Sequence, residues 1–228
     1  MRPFVLFDPI HLATLAVTFI IIIVATFWIK HLDGHRLEHA RVSLGVLLLV
    51  HLFMQLFNSF SYGLPWQESI PLHMCDLSKL TIALFLLGYG KKFFFCGLFW
   101  GTIPAIMALL TPALRFTFPD AEFVNFYYGH GLIILGVSVS VFALNQSPTF
   151  RDFLWLVQVT LALTVILFFI NHLLGEGANF WYLKDKPPGD TIMNYFPDAP
   201  YHLIALIPVA IFAFFLTYLP FLMKGQSR

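Results

Sequence analysis

The sequence predicts an all-α polytopic membrane bundle of about seven spans, and three observations carry that prediction. Of 228 residues, 59% are hydrophobic and only 11% are charged, against about 25% charged in ordinary soluble domains. The mean hydropathy is +0.80. Seven stretches are also long enough to cross a bilayer, since a hydrocarbon core of about 30 Å takes about 20 apolar residues. The net charge of +1 with scattered basic residues leaves no electrostatic footprint for nucleic acid. Two cysteines exclude a disulfide-stapled fold. Residues 1–228 read as a single transmembrane domain with no internal repeat or long linker.

The first span, residues 10–29, follows Asp8 and ends at Trp28 and Lys30 without a small-residue cleavage site, so it reads as a retained helix rather than a signal peptide. The second covers 40–60. The third, 72–88, is interrupted by Asp76 and Lys79, but residues 89–92 read as a tight turn before the next apolar run. The fourth, 93–110, contains Pro104 and carries Gly97, Gly101 and Ala105 four residues apart, a small-residue face that lets helices approach closely. The remaining spans are 126–144, 153–174 and 201–223, the last with Pro208 inside it. Neither an inverted repeat nor a pair of broken helices is visible.

Basic residues set the expected orientation, because positive loops stay on the cytoplasmic side. Lys30, Arg36, Arg41, Lys91, Lys92, Arg151, Lys224 and Arg228 fall on one side, against Arg2, Arg115, Lys184 and Lys186 on the other. The N-terminus is therefore expected outside and the C-terminus inside, in the cell membrane, the inner one in a bacterium.

Laid on this topology, the polar residues gather towards the outer ends. His51, Gln55 and Asn58 are spaced four and three apart, on one face of the second span. His73, Cys75, Asp76 and Lys79 open the third span, Asn125 and His130 lie in the fifth, and Asn171, His172 and Asn179 follow the sixth outward. Ionisable groups in a bilayer cost at least about 2.5 kcal/mol and normally face the bundle interior, so a shared polar cavity is predicted. His11 and His202 are expected at the headgroup level, and His31, His35 and His39 in a solvated basic loop. Cys96, among Phe93, Phe94, Phe95 and Gly97, reads as packing. Cys75 stands at a helix N-terminus with Lys79 one turn on, which favours a thiolate, and His130 or His172 would supply its base.

The run Pro71, Leu72, His73, Met74, Cys75, Asp76, Leu77 and Ser78, with Tyr128, Gly129, His130 and Gly131, Asn171, and residues 179–187, resembles the YwaF-like membrane proteins, a group related to transmembrane protein 164. The resemblance covers most of the chain. Met74 stands where leucine is expected, and residues 175–180 form a longer run than the family's Gly-x-Asn-Tyr. It implies a cysteine-dependent acyltransferase acting on phospholipids or lysophospholipids, with Cys75 carrying the acyl group as a thioester and His130 its partner. Asn171 and Asn179 would match polar positions beside them, with Asn171 a candidate oxyanion donor. No cofactor and no metal ligand is expected for that chemistry. Two other classes stay open: a metal-dependent lipid hydrolase using the histidines and Asp76, and a non-enzymatic transporter or ligand-sensing bundle using Asp76, Lys79 and His51.

Overall fold

A computed structural model describes residues 2–61, 63, 65–187 and 192–225. Seven helical stretches in it are long and apolar enough to cross a membrane. The first two are α1 (Pro9–Lys30) and α2 (Gly34–Ser61). The third span is α3 (Trp66–Ser69) followed by α4 (Met74–Leu86), and the fourth is α5 (Lys91–Gly101) followed by α6 (Ile103–Leu110). The others are α7 (Ala121–Phe142), α8 (Phe150–Leu174) and α9 (His202–Gly225). Two short 3-10 turns, Phe180–Tyr182 and Ile192–Tyr195, lie between α8 and α9. Beyond one isolated bridge between Pro3 and Phe116, the described residues form no β-structure.

Helix ends follow local chemistry. Asp8 accepts from the His11 amide at the start of α1, Asp120 from Glu122 and Phe123 at α7, and Thr149 with Asp152 forms a reciprocal capping box at α8. Two spans are interrupted, a departure from the sequence reading. The fourth breaks at Thr102 because Pro104 cannot donate to the preceding turn and crowds it. The third breaks over residues 70–73, around Pro71, and begins at Trp66 rather than residue 72. Pro208 and Pro220, by contrast, sit within the continuous α9. α2 begins at Gly34, so His35 and His39 are exposed on a helix with rings 6.5 Å apart rather than in a loop.

α4 occupies the centre, packed against α2, α5 and α7. Ile82 is the knob of that packing. A Cβ on Gly97 would fall 2.3 Å from its Cγ1, and a Cβ on Gly136 would fall 2.6 Å from its Cγ2, so these glycines let three backbones close on one side chain. The small face expected on the fourth span is thus used, with Gly101 against Ile133 and Ala105 buried.

Candidate functional site at the polar end of the bundle

α4 and α7 run in the same direction from the end of the bundle where both begin. From the Ile82 and Gly136 contact, seven residues back along each helix, about 10 Å, brings Cys75 level with Gly129 and Asp76 level with His130. Cys75 is half-buried and free, in the first turn of α4. Its sulfur makes no hydrogen bond to a described residue. Behind it, Asp76 and Lys79 form an ion pair, Nζ 3.1 Å from Oδ1, with Lys79 only 1% exposed. Lys79 also donates to Gln55 Oε1 on α2, so the buried ammonium has two acceptors from two helices.

His51 is 3% exposed, with Nε2 3.2 Å from the Asn125 carbonyl and 3.0 Å from Asn125 Oδ1. A backbone carbonyl only accepts, so Nε2 carries the proton and Nδ1 is a buried lone pair without a partner. The ring fits because residue 129 is glycine, where a Cβ would fall 2.2 Å from His51 Cε1. One residue on, His130 is half-buried, and its Nδ1 lies 2.8 Å from the Phe126 carbonyl. The same logic puts its proton on Nδ1 and leaves Nε2 as an acceptor. His51, His73 and His130 all lie close enough to Asp76 and Lys79 to feel their charges. These residues, with Cys75 and Gln55, are what the fold brings together.

A second group covers the start of α4. Asn171, fully buried, clamps the backbone of Phe180 from both sides: Nδ2 donates to its carbonyl at 3.0 Å, and Oδ1 accepts from its amide at 2.8 Å. Its oxygen and one of its two N–H donors are thereby engaged, so Asn171 holds the loop at Phe180. Phe180 lies edge-on to His73 at 5.1 Å, and Trp181 Nε1 donates to the Leu72 carbonyl at 3.0 Å. Trp181 and Tyr182 both adopt left-handed backbone conformations, with φ of 58° and 54°, which for bulky residues persist only where surrounding contacts fix them. His202 Nε2 completes the anchoring by donating to the Tyr182 carbonyl at 2.8 Å. Burial first, and then the charge of neighbouring Cys75, push the Tyr182 hydroxyl above the ordinary tyrosine range.

Several expected members lie elsewhere. His172 is exposed, turned back on its own helix with Nδ1 2.7 Å from the Phe168 carbonyl. Asn179 spends its side chain on its own loop, accepting from the amides of Lys184 and Asp185 and donating to the Asp185 carbonyl. The side chain of Asn58 lies outside the described residues. His11 and His202 are fully buried cross-links rather than headgroup residues, His11 joining α1 to the Leu109 carbonyl at 3.1 Å. Among the described residues, no three His, Cys, Asp or Glu side chains converge as a metal-ligand set. Sequence reasoning missed Trp181 and Tyr182, although an aromatic triplet directly after Asn179 was the available signal.

No curated protein and no solved structure matches the chain. A family model does, over residues 6–218, and the chain belongs to the TMEM164 family.

Proposed function

We propose that the protein is a membrane acyltransferase that carries an acyl group on Cys75 and takes membrane phospholipids or lysophospholipids as substrates. The observation that carries this reading is the pairing by depth of a half-exposed free thiol with a histidine whose Nε2 is an unprotonated acceptor. In the first half-reaction His130 Nε2 takes the Cys75 proton and the thiolate attacks the lipid ester carbonyl. The ester C–O bond breaks, and the lysolipid alkoxide leaves as an alcohol with the proton from His130. In the second, a lysolipid hydroxyl loses its proton to His130 and attacks the thioester. The C–S bond breaks, and the thiolate recovers the proton.

The Asp76 and Leu77 amides are taken by the His73 carbonyl, so the Met74 and Cys75 amides at the start of α4 and the Tyr182 hydroxyl are the donors this reading offers to an oxyanion. The Asp76 and Lys79 pair is internally neutral and keeps the floor of the site polar. With the basic loops inside, this end faces outward.

The test is intact mass of purified protein after incubation with phosphatidylcholine vesicles. A hydroxylamine-labile gain of one acyl group is expected in the wild type and absent in Cys75→Ala; an adduct that persists in Cys75→Ala overturns the reading. His130→Ala is expected to slow acylation about 100-fold.

One observation favours a second reading. The interrupted third and fourth spans lie against each other through α4 and α5, an arrangement found where transporters bind solutes. Solute uptake by reconstituted vesicles that survives Cys75→Ala would select it.

A further inference from the structure

Gln55 is held by a contact that uses only half of its side chain. The Lys79 ammonium can donate and not accept, so the carboxamide atom that faces it is Oε1. That bond fixes the orientation of the whole amide and turns its NH2 group away from the lysine. Among the described residues nothing accepts from Gln55 Nε2. Gln55 is half-buried, and its Nε2 is not sealed from solvent as the partnerless Nδ1 of His51 is. Two reachable N–H donors are thus presented in one orientation. Lys79 itself is 1% exposed and spends two of its three protons on Gln55 and Asp76. A molecule entering the site meets the amide and not the ammonium.

The helices bring that amide to the side of α4 that carries Cys75. Around the axis of α4, Lys79 lies about 40° from Cys75 and about 60° from Asp76, and so between them. Helical side chains lean towards the N-terminus of their helix, so Lys79 reaches back to the level of Cys75 and Asp76, where it meets Asp76 Oδ1. α2 runs antiparallel to α4, with Gly45 against Leu86 and Gln55 against Lys79. Gln55 therefore leans the opposite way and meets the lysine at the depth of the thiol. We propose that Gln55 is a catalytic residue, its carboxamide donating a hydrogen bond to the ester carbonyl oxygen that Cys75 attacks; this rests on Cys75 as the acyl carrier. As the C–S bond forms, the carbonyl π pair moves onto oxygen, and the amide stabilises it without giving up a proton. The pair returns when the ester C–O bond breaks. A donor already aimed by Lys79 stabilises that charge without reorganising.

The test compares two reactions of Cys75 in full-length protein in mild detergent, both read by intact mass. One is acylation by p-nitrophenyl palmitate, which passes through an oxyanion. The other is thiolation by methyl methanethiosulfonate, which has no carbonyl and reports only whether the thiolate forms and can be reached. Gln55→Glu keeps an acceptor for Lys79 and loses both donors. Gln55→Met loses the donors without adding a charge, so each variant controls for the other and either alone suffices if one fails to fold. Both are expected to slow acylation about 100-fold, the effect of removing one oxyanion donor, and to change thiolation by less than about tenfold. Equal losses in the two reactions would mean that Gln55 only supports Lys79, and they overturn the proposal, as does acylation at the wild-type rate in either variant. The activated ester also separates this proposal from the reading beneath it. A wild type acylated by p-nitrophenyl palmitate and not by phosphatidylcholine fails the phospholipid reading, while the ratio of the two rates still decides the role of Gln55. A wild type acylated by neither ester overturns both.

Discussion

The first, sixth and last spans are the greasiest and the least enclosed, whereas the third and fifth are the least apolar and among the most enclosed. Their peak mean hydropathies are 2.6, 2.5 and 2.3 against 1.2 and 1.3, and the buried shares of those windows are 22%, 22% and 17% against 44% and 50%. A water-soluble protein would show the opposite ranking. Here lipid is the apolar phase, so hydropathy reports which helices face it, and the least hydropathic spans are driven inward to pair their polar groups. Those are the spans that carry Cys75, Asp76, Lys79 and His130. The fourth span departs from the rule, with hydropathy 2.0 and 56% buried, because Gly97 and Gly101 allow it close to Ile82 and Ile133.

Breaking the charge pair of an inner span is expected to have the largest effect on stability. Lys79→Met strips the ammonium from Asp76, which is itself buried. Removing one partner of a buried pair typically costs about 3–5 kcal/mol. Asp76→Asn with Lys79→Met removes both charges and is expected to recover most of that loss. Chemical unfolding in mixed micelles compares the wild type with both variants. A double variant no more stable than Lys79→Met would show that the pair is not the unit that matters.

Next come the glycines of the inner helices. Gly129→Ala drives a methyl into a His51 ring pinned by Asn125, and Gly97→Ala drives one into Ile82. Overpacking of this kind costs about 1–3 kcal/mol. On an outer span the comparison reverses. Val24, on the exposed face of α1, is expected to tolerate Val24→Ala within about 0.5 kcal/mol. Equal losses at Val24 and Gly97 in the same unfolding measurement would remove the distinction between rim and centre.

That distinction explains what the sequence made legible. Apolar length alone located all seven spans, and the spacing of Gly97, Gly101 and Ala105 identified a packing face that the fold uses. The cluster of His51, Gln55, Asp76 and Lys79 was readable because polar groups in a membrane must converge. The breaks at residues 70–73 and at Thr102 were not readable, since a hydropathy window sees composition and not backbone continuity. Nor were the uses of Asn171 and His202. Each bonds to the 3-10 turn at Phe180–Tyr182, a segment outside any span whose conformation depends on contacts from α8, α9 and the break at residues 70–73. A polar residue at a helix end looks the same in sequence whether it faces headgroups or clamps a loop.

The smallest expected effect tests whether that turn is sealed onto the start of α4. Tyr182 is 39% exposed, and a loop lying loosely over the bundle would leave its hydroxyl at the ordinary value of about 10. Instead burial, followed by the nearby Cys75, holds it higher. The folded protein therefore keeps a proton that the unfolded chain releases above about pH 10. The stability contributed by Tyr182 is present in full below that pH and is lost as pH rises through the folded value. Unfolding midpoints at pH 8 and about pH 11 are expected to fall further for the wild type than for Tyr182→Phe, with the two proteins differing by a constant at lower pH. Cys75→Ala removes one cause of the shift and is expected to narrow the gap. Parallel curves for wild type and Tyr182→Phe across the alkaline range would mean that the turn is open. Tyr182 would then be no donor for chemistry at Cys75, and the polar end would be built from the inner spans alone.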